Sequence, residues 1–326
     1  TPLDTDGGSD SAPTPGAAAQ KLIAAVKANP SEPLFAVVDG ARYGNLPRLL
    51  DMQGLTGRSL FLDHADAEIE AASGWLVPLG GEADLARLLE VSDETCSSLV
   101  LWFCPLGETA LHRHVRTINV VRIPSDAIPD NNLVADADPG EKPKKTSRPE
   151  YGNVLFRHYD PDVLGALLPL LDEAQFARIF GPATRIVMFS QGHGGLCTAP
   201  RPENLPIAPR GLLTISAGQI EDLKLAMGEA RDMRVAAYLR KSAPEAAAKL
   251  DDHQLAHFVA ASSASGHELG LTTERAQGFW AYMMLNSKGR IAGDAVVRDY
   301  IISNPEKGTP DDKVYNLMGE LTKAGR

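Results

Sequence analysis

The sequence predicts an α/β domain, a mixed α+β layered sheet, followed by a small all-α domain. Short apolar runs alternate with short amphipathic segments over residues 33–190, which is typical of a sheet covered by helices. A stretch with four prolines interrupts this pattern at 198–211. Beyond it, apolar residues recur at spacings of three and four, which predicts helices without strands.

These observations divide the chain. Residues 1–18 and 125–150 are rich in Pro, Asp, Ser or Lys and lack periodicity, which predicts a disordered tail and a mobile loop. Four prolines make a stiff linker. The predicted segments are the tail at 1–18, the α/β domain at 19–197 with its loop at 125–150, the linker at 198–211 and the helical domain at 212–326.

Apolar runs bounded by turn residues predict the strands. The runs are PLFAVVDGAR (33–42), RSLFLD (58–63), GWLVPLG (74–80), SSLVLWFCPL (97–106), NVVRIP (119–124) and, as the last strand, TRIVMFSQ (184–191). NVLFRHYD (153–160) alternates apolar and polar residues, so we expect a strand there too. Its alternation would place Val154, Phe156 and His158 on one face and Leu155, Arg157 and Tyr159 on the other.

Helical spacing predicts the remaining elements. In the first domain these are 45–52, 82–91, the start of 107–124, and one or two helices within 161–182. In the second domain, a capping box at a helix start is predicted twice, from Ser216 with Gln219 and from Asp251 with Gln254. Further helices are predicted at 272–285, 293–303 and 310–324.

Composition excludes several classes of function. The 326 residues carry a net charge of −10, so a basic surface for nucleic acid or an anionic membrane is not expected. No apolar run is long enough to span a membrane. The start has no basic region followed by an apolar core, so we expect no signal peptide. Three widely spaced cysteines, Cys96, Cys104 and Cys197, suit a reducing compartment and predict a cytoplasmic protein.

Ser190 lies in MFSQGHGG (188–195), after a predicted strand. A nucleophile elbow needs Gly-x-Ser-x-Gly because its strained turn excludes side chains. Met188 occupies the first glycine position, and a proline-rich segment follows instead of a helix. A catalytic Ser190 is therefore not favoured.

Two histidines two residues apart, His112 and His114, would share a face on a strand and could hold a metal. The segment is predicted to be helical, where they would diverge. His158 and Asp160 could add ligands from elsewhere in the chain. Partly buried histidines with hydrogen-bond partners are the favoured interpretation, and no cofactor is expected.

Five charged residues lie in or beside predicted apolar strands: Asp39, Arg42, Arg116, Arg157 and Asp160. Charges there must be paired if they are buried, and Arg–carboxylate pairs are the usual solution. We predict that Arg157 and Asp160 are mostly buried in a network that holds the sheet together. An active site can use such a network too, and the residues alone leave both interpretations open.

An ordered set of segments resembles the bacterial type VI secretion adaptor family, often called Tap or TEC chaperones. The set covers roughly 33–190 and comprises LFAVVDGAR, GWLVPL, LHRHVRTINVV, VLFRHYDPDVLGALLPLL and FARIFGPATRIVMF. The family's Asp-Gly-Ala-Arg turn matches Asp39, Gly40 and Arg42. Its second element matches His114 and Arg116, and its third matches Phe156, Arg157, Tyr159, Asp160 and Pro161. The 26 residues at 125–150 are a departure, because the family's turn here is short.

The resemblance implies a cytoplasmic, non-enzymatic adaptor that binds a toxic effector and promotes its loading onto the VgrG spike. The expected partners are that effector and VgrG, with no nucleic acid and no membrane, and the chain alone is expected to be a monomer. Two alternatives stay open. One is a hydrolase or metal enzyme that uses His112, His114, His158, Asp160 or Ser190. The other is a binding scaffold unrelated to secretion.

An apolar stripe in the last third could bind a partner. Phe279, Trp280, Met283 and Met284 lie at helical spacing, with Tyr282 beside them. A helix that faces its own core explains the stripe most simply. The alternative is an apolar groove for a segment of the effector, because Met and aromatic residues suit adaptable interfaces.

Overall fold

A computed structural model describes residues 16–29, 31–61, 66–93, 95–128, 150–303, 306 and 308–324. The chain divides into two compact units, Thr1–Leu223 and Lys224–Arg326. The first unit contains two β-sheets and their helices, and the second is helical. The predicted fold class, a mixed α+β layered domain followed by an all-α domain, is confirmed.

The larger sheet has six strands in the order β2-β3-β1-β4-β7-β8, and every neighbouring pair is antiparallel. The strands are β1 Leu34–Asp39, β2 Arg58–Ser59, β3 Gly74–Leu79, β4 Leu99–Phe103, β7 Arg185–Ser190 and β8 Gly195–Pro200. All residues of β1 and β4 are buried, as expected for central strands covered on both faces.

The smaller sheet has three strands in the order β6-β5-β9. They are β5 Val120–Pro124, β6 Tyr151–Leu155 and β9 Leu213–Thr214. β5 runs antiparallel to β6 and parallel to β9.

Apolar side chains fill both faces of the larger sheet. The helices of the first unit are α1 Ala17–Lys27, α2 Leu46–Met52, α3 Ala67–Ala71, α4 Glu82–Glu90, α5 Gly107–Thr117, α6 Pro161–Leu167 and α7 Glu173–Phe180. One core combines Ala36 and Val38 of β1 with side chains of α1, α2 and α4. The other combines Phe35 and Val37 with side chains of α5, α6, α7 and the smaller sheet. Alternate residues of β1 thus enter opposite cores.

The second unit is built from the rest of α8 Ala217–Ser242 together with α9 Pro244–Ala247, α10 Asp252–Glu268, α11 Glu274–Asn286, α12 Ala295–Ile302 and α13 Pro310–Ala324. The predicted capping box of Asp251 and Gln254 is confirmed at the start of α10. None of the described helices combines the length and the apolar character that crossing a bilayer requires.

The boundary between the units lies within α8, after Leu223, whereas the sequence predicted it at 198–211. Leu213 belongs to β9, and Ile215 and Ile220 are buried in the core of the first unit. Residues 198–200 belong to β8. The proline-rich stretch is therefore mostly a connection inside the first unit, and the predicted linker is corrected.

Three more local predictions differ from the structure. TRIVMFSQ is not the last strand, since β8 and β9 follow it. β6 ends at Leu155, so 156–160 do not alternate as a strand. Ala17 and Ala18 start α1, and residues 125–127 form a 3-10 turn, so the described ends of the tail and loop are regular. The remaining residues of both, 1–15 and 129–149, lie outside the described residues.

Two glutamines hold the start of α8 in place within the first unit. The capping box predicted from Ser216 and Gln219 is confirmed: the Ser216 amide donates to Gln219 Oε1 at 3.0 Å, and the Gln219 amide donates to Ser216 Oγ at 3.3 Å. Gln219 Nε2 also donates to Leu170 O at 2.8 Å and to Gln175 Oε1 at 2.6 Å. Gln175 belongs to a second capping box, with Asp172 at the start of α7.

We expect Gln219→Ala to lower the free energy of unfolding of the first unit by about 1–2 kcal/mol, because several amide groups lose their partners. Gln191→Ala, a substitution at an exposed position, should change it by less than about 0.5 kcal/mol. Urea titration of both variants measures the difference. Equal midpoints would show that the glutamine pair does not stabilise the first unit.

Candidate functional site

The strongest cluster of charged side chains lies where β1 ends. Asp39 is the last residue of β1 and pairs in register with Gly74 of β3. The chain then turns through the 3-10 segment Gly40–Arg42. A Cβ at Gly40 would lie 2.1 Å from Ala71 O and 2.5 Å from Ser73 O, so only glycine fits there. The tight turn brings Arg42 back beside Asp39.

Asp39 is the centre of the charge network, with 1% of its surface exposed. Its Oδ1 accepts the Ala41 amide at 3.2 Å. Its Oδ2 accepts a hydrogen bond from Arg157 Nη2 and lies 3.6 Å from Arg42 Nε. Two guanidinium groups therefore compensate one buried carboxylate.

Arg157 and Asp160 come from the connection between β6 and α6. Arg157 Nη2 lies 3.8 Å from Asp160 Oδ2. Asp160 also caps α6, since its Oδ1 accepts the amides of Asp162 at 3.0 Å and Val163 at 3.4 Å. One ion-pair network thus links the end of β1 to the start of α6.

Burial and charge act in opposite directions on these groups. Burial raises the pKa of Asp160, and the nearby Arg157 opposes that increase. Burial would lower the pKa of Arg157, but the charge and hydrogen bond of Asp39 outweigh burial and raise it. Arg157 is less enclosed than predicted, because 41% of its side chain is exposed.

The structure brings together four of the five predicted network residues. Arg116 is the exception: it lies in the last turn of α5 and forms no ion pair with Asp39 or Asp160 among the described residues. The prediction placed Arg116 in or beside an apolar strand, but the helix continues to Thr117 and β5 begins only at Val120. Arg116 is therefore removed from the network.

Tyr159 packs against the strand next to the network. A Cβ at Gly74 would lie 2.7 Å from two carbons of its ring, so the absence of a side chain at Gly74 makes room for the tyrosine. Tyr159 is buried, and burial raises the pKa of its phenol. The motif FRHYD thus contributes a charge pair, three buried rings and a helix cap to the fold.

Each of the three candidate histidines has its own acceptor. His112 Nε2 lies 2.9 Å from Ser59 O, and His114 Nε2 lies 2.7 Å from Ile179 O. His158 Nε2 lies 2.8 Å from Asn119 Oδ1. Asn119 Nδ2 donates to Leu60 O at 2.8 Å, which fixes the amide so that His158 is the donor.

Burial lowers the pKa of all three imidazoles. The pKa of His114 falls to about 4 and that of His158 to about 3, mainly through burial. The three rings are neutral at pH 7 and donate to different acceptors. Among the described residues, no group of three His, Cys, Asp or Glu side chains is placed to hold a metal ion.

Ser190 donates a hydrogen bond to Asp162 Oδ1. The nearby His193 uses Nε2 to contact the backbone oxygen of Asp162 at 3.1 Å. This histidine therefore does not bond to the hydroxyl of Ser190, as a general base for a serine nucleophile would. The sequence reasoning missed Asp162, although its position two residues after the cap residue Asp160 placed it at the start of α6.

The three cysteines are free thiols. Burial raises the pKa of Cys96 to about 12, and it also raises the pKa of Cys104 and Cys197. Protonated thiols are poor nucleophiles, so these cysteines have the character of packing residues.

The apolar stripe of α11 lies in the core of the second unit. Trp280, Met283 and Met284 are buried, with Trp280 at 0% exposure. Phe279 and Tyr282 are half-buried and pack against the same core. Trp280 Nε1 donates to Ser265 Oγ at 3.3 Å. The ordinary explanation, a helix facing its own core, accounts for the stripe, and burial leaves Trp280, Met283 and Met284 little surface for a partner.

Comparison with known protein families adds one finding. Residues 34–128 match the model of a domain of unknown function, DUF4123. The matched segment runs from the start of β1 to the 3-10 turn after β5. It includes Asp39, Arg42 and the histidines of α5, whereas Arg157 and Asp160 lie beyond it. No curated protein and no solved structure matches the chain.

Proposed function

We propose that this chain is a non-catalytic, cytoplasmic adaptor of a type VI secretion system, which binds a toxic effector and promotes its loading onto the VgrG spike. The observation that carries the proposal is the match of residues 34–128 to DUF4123, a family associated with type VI effector adaptors. The matched segment contains the Asp-Gly-Ala-Arg turn and the LHRHVR segment, two of the motifs on which the resemblance rests.

The polar chemistry of the first unit supports a scaffold role. The carboxylates of Asp39 and Asp160 are used in ion pairs and in capping a helix or turn. The imidazoles of His112, His114 and His158 are neutral donors to separate acceptors. A general acid or base needs a free position toward its substrate and a pKa close to the working pH. Burial lowers the pKa of the three imidazoles, and each of the five groups is already held by a partner within the protein.

Binding between two purified proteins tests the proposal. The full-length chain and the effector encoded beside its gene are mixed and analysed by size-exclusion chromatography with light scattering. We expect a complex that elutes ahead of both proteins and contains both. An effector from an unrelated spike cluster serves as the control and should elute separately. Separate elution of the cognate pair at micromolar concentrations would refute the adaptor proposal.

A further inference from the structure

The most distinctive unassigned surface is the proline loop, defined here as residues 201–211 between β8 and β9. Both of its ends are attached to the first unit. The Arg201 amide donates to Thr184 O at 2.8 Å, and the Arg201 guanidinium donates to Gly181 O. At the other end, Arg178 Nε donates to Gly211 O at 3.1 Å. The loop is therefore a held surface element and not a flexible tether.

Proline chemistry makes the middle of this loop extended. Pro206 and Pro209 have fixed φ angles, and each restricts the preceding residue, Leu205 or Ala208, to extended conformations. Residues 203–204 form a turn, and no backbone hydrogen bond joins residues 206–210 to any other described residue. These are the properties of polyproline II, a left-handed helix with three residues per turn and no internal hydrogen bonds.

Within 205–210, the two half-buried residues are three positions apart, which matches the period of polyproline II. Leu205 and Ala208 are half-buried, whereas Pro206, Ile207, Pro209 and Arg210 are exposed. One edge of the extended segment thus faces the first unit, and the other two edges face outward. Ile207 is 97% exposed, more than any other large apolar side chain among the described residues.

The segment 206–210 has the sequence Pro-Ile-Ala-Pro-Arg, and all of its residues except Ala208 are exposed. Proteins recognise Pro-x-x-Pro segments with grooves lined by aromatic side chains, because a preformed polyproline II helix loses little entropy on binding. Arg210 forms no ion pair with any described residue, so a carboxylate beside such a groove would complement it.

We propose that residues 206–210 are a docking strip for an aromatic-lined, acid-flanked groove on the effector. The proposal rests on the proposed adaptor function for the identity of the partner. The prolines set the spacing, Ile207 enters the groove, and Arg210 pairs with a carboxylate at its edge. The strip belongs to the first unit and uses none of the residues of the charge network.

Calorimetric titration of the purified effector into the full-length chain tests the strip. Ile207→Asp and Arg210→Glu should each weaken binding at least tenfold, and Ile207→Ser should weaken it less than Ile207→Asp. Pro202→Ala, an exposed proline of the same loop outside the strip, should stay within twofold of the wild type. All three positions are exposed, so unchanged melting temperatures are expected for the four variants and serve as the folding control.

The possible outcomes separate the two proposals. If the wild type binds the effector and both charged variants bind it with an affinity within twofold of the wild type, the docking strip is overturned and the adaptor function remains intact. Weakening by Pro202→Ala as large as by Ile207→Asp would also overturn the strip, because the loop as a whole would then be responsible. Absence of wild-type binding would overturn both proposals.

Discussion

Arg157→Met is expected to destabilise the first unit by about 3 kcal/mol. The substitution leaves Asp39 buried at 1% exposure with only Arg42 nearby, at 3.6 Å. Removing one partner of a buried ion pair typically costs about 3–5 kcal/mol. We expect the lower end, because Arg157 itself is partly exposed. Hydrogen exchange at the amides of β1 and β4 under native conditions reports the loss for this unit alone.

Arg116→Met is the matched control. It makes the same Arg-to-Met substitution at the arginine that lies outside the network. It should lower the free energy of unfolding by less than about 0.5–1 kcal/mol. Equal losses of protection in the two variants would mean that the ion pair with Asp39 does not hold β1 to the start of α6.

Acidification is expected to destabilise the first unit strongly between pH 6.5 and 4. The folded-state pKa values of His114 and His158 lie below the ordinary 6.5, at about 4 and about 3. The folded state thus favours the neutral imidazoles, and their contribution to the free energy of unfolding is fully present above pH 6.5. As the pH falls, the unfolded chain binds protons that the folded chain does not, at about 1.4 kcal/mol per pH unit for each group.

His114 alone should account for about 3 kcal/mol of this loss. Asp160 acts in the opposite sense, because burial raises its folded-state pKa, so its contribution favours folding at low pH and partly offsets the histidines. Urea midpoints measured from pH 4.5 to 7.5 should therefore fall steadily toward acid.

His114→Asn tests the assignment of this pH dependence. The variant removes one titrating group, so the slope of stability against pH below 6.5 should decrease even if the variant is less stable at pH 7.5. His253→Asn, at an exposed position in α10, should keep the wild-type slope. A slope unchanged by His114→Asn would contradict a lowered pKa of His114 in the folded chain.

The sequence predicted those features that depend on neighbouring residues. Two capping boxes were predicted from residue spacing alone, and both are confirmed: Ser216 with Gln219 and Asp251 with Gln254. The runs in β1 and β4 are apolar enough to require burial on both faces. In each case the pattern and its structural cause lie within a few residues of each other.

Features that depend on long-range contacts were missed. β8, with the sequence GLCTAP, has no apolar alternation and is a strand because it pairs with β7. Arg116 and Arg42 look alike in sequence, yet only Arg42 follows a turn that returns it to Asp39. FRHYD reads as a strand, but Asp160 is used to cap α6 and ends the extended region early.

The most direct test of the adaptor account is reconstitution of loading with purified effector and VgrG. Tagged VgrG is incubated with the effector, with and without the full-length chain, and the effector retained on VgrG is quantified. The account predicts that the chain increases the retained effector several-fold, with no chemical change in either protein by mass spectrometry. Equal retention with and without the chain, although the chain binds the effector, would contradict a role in loading.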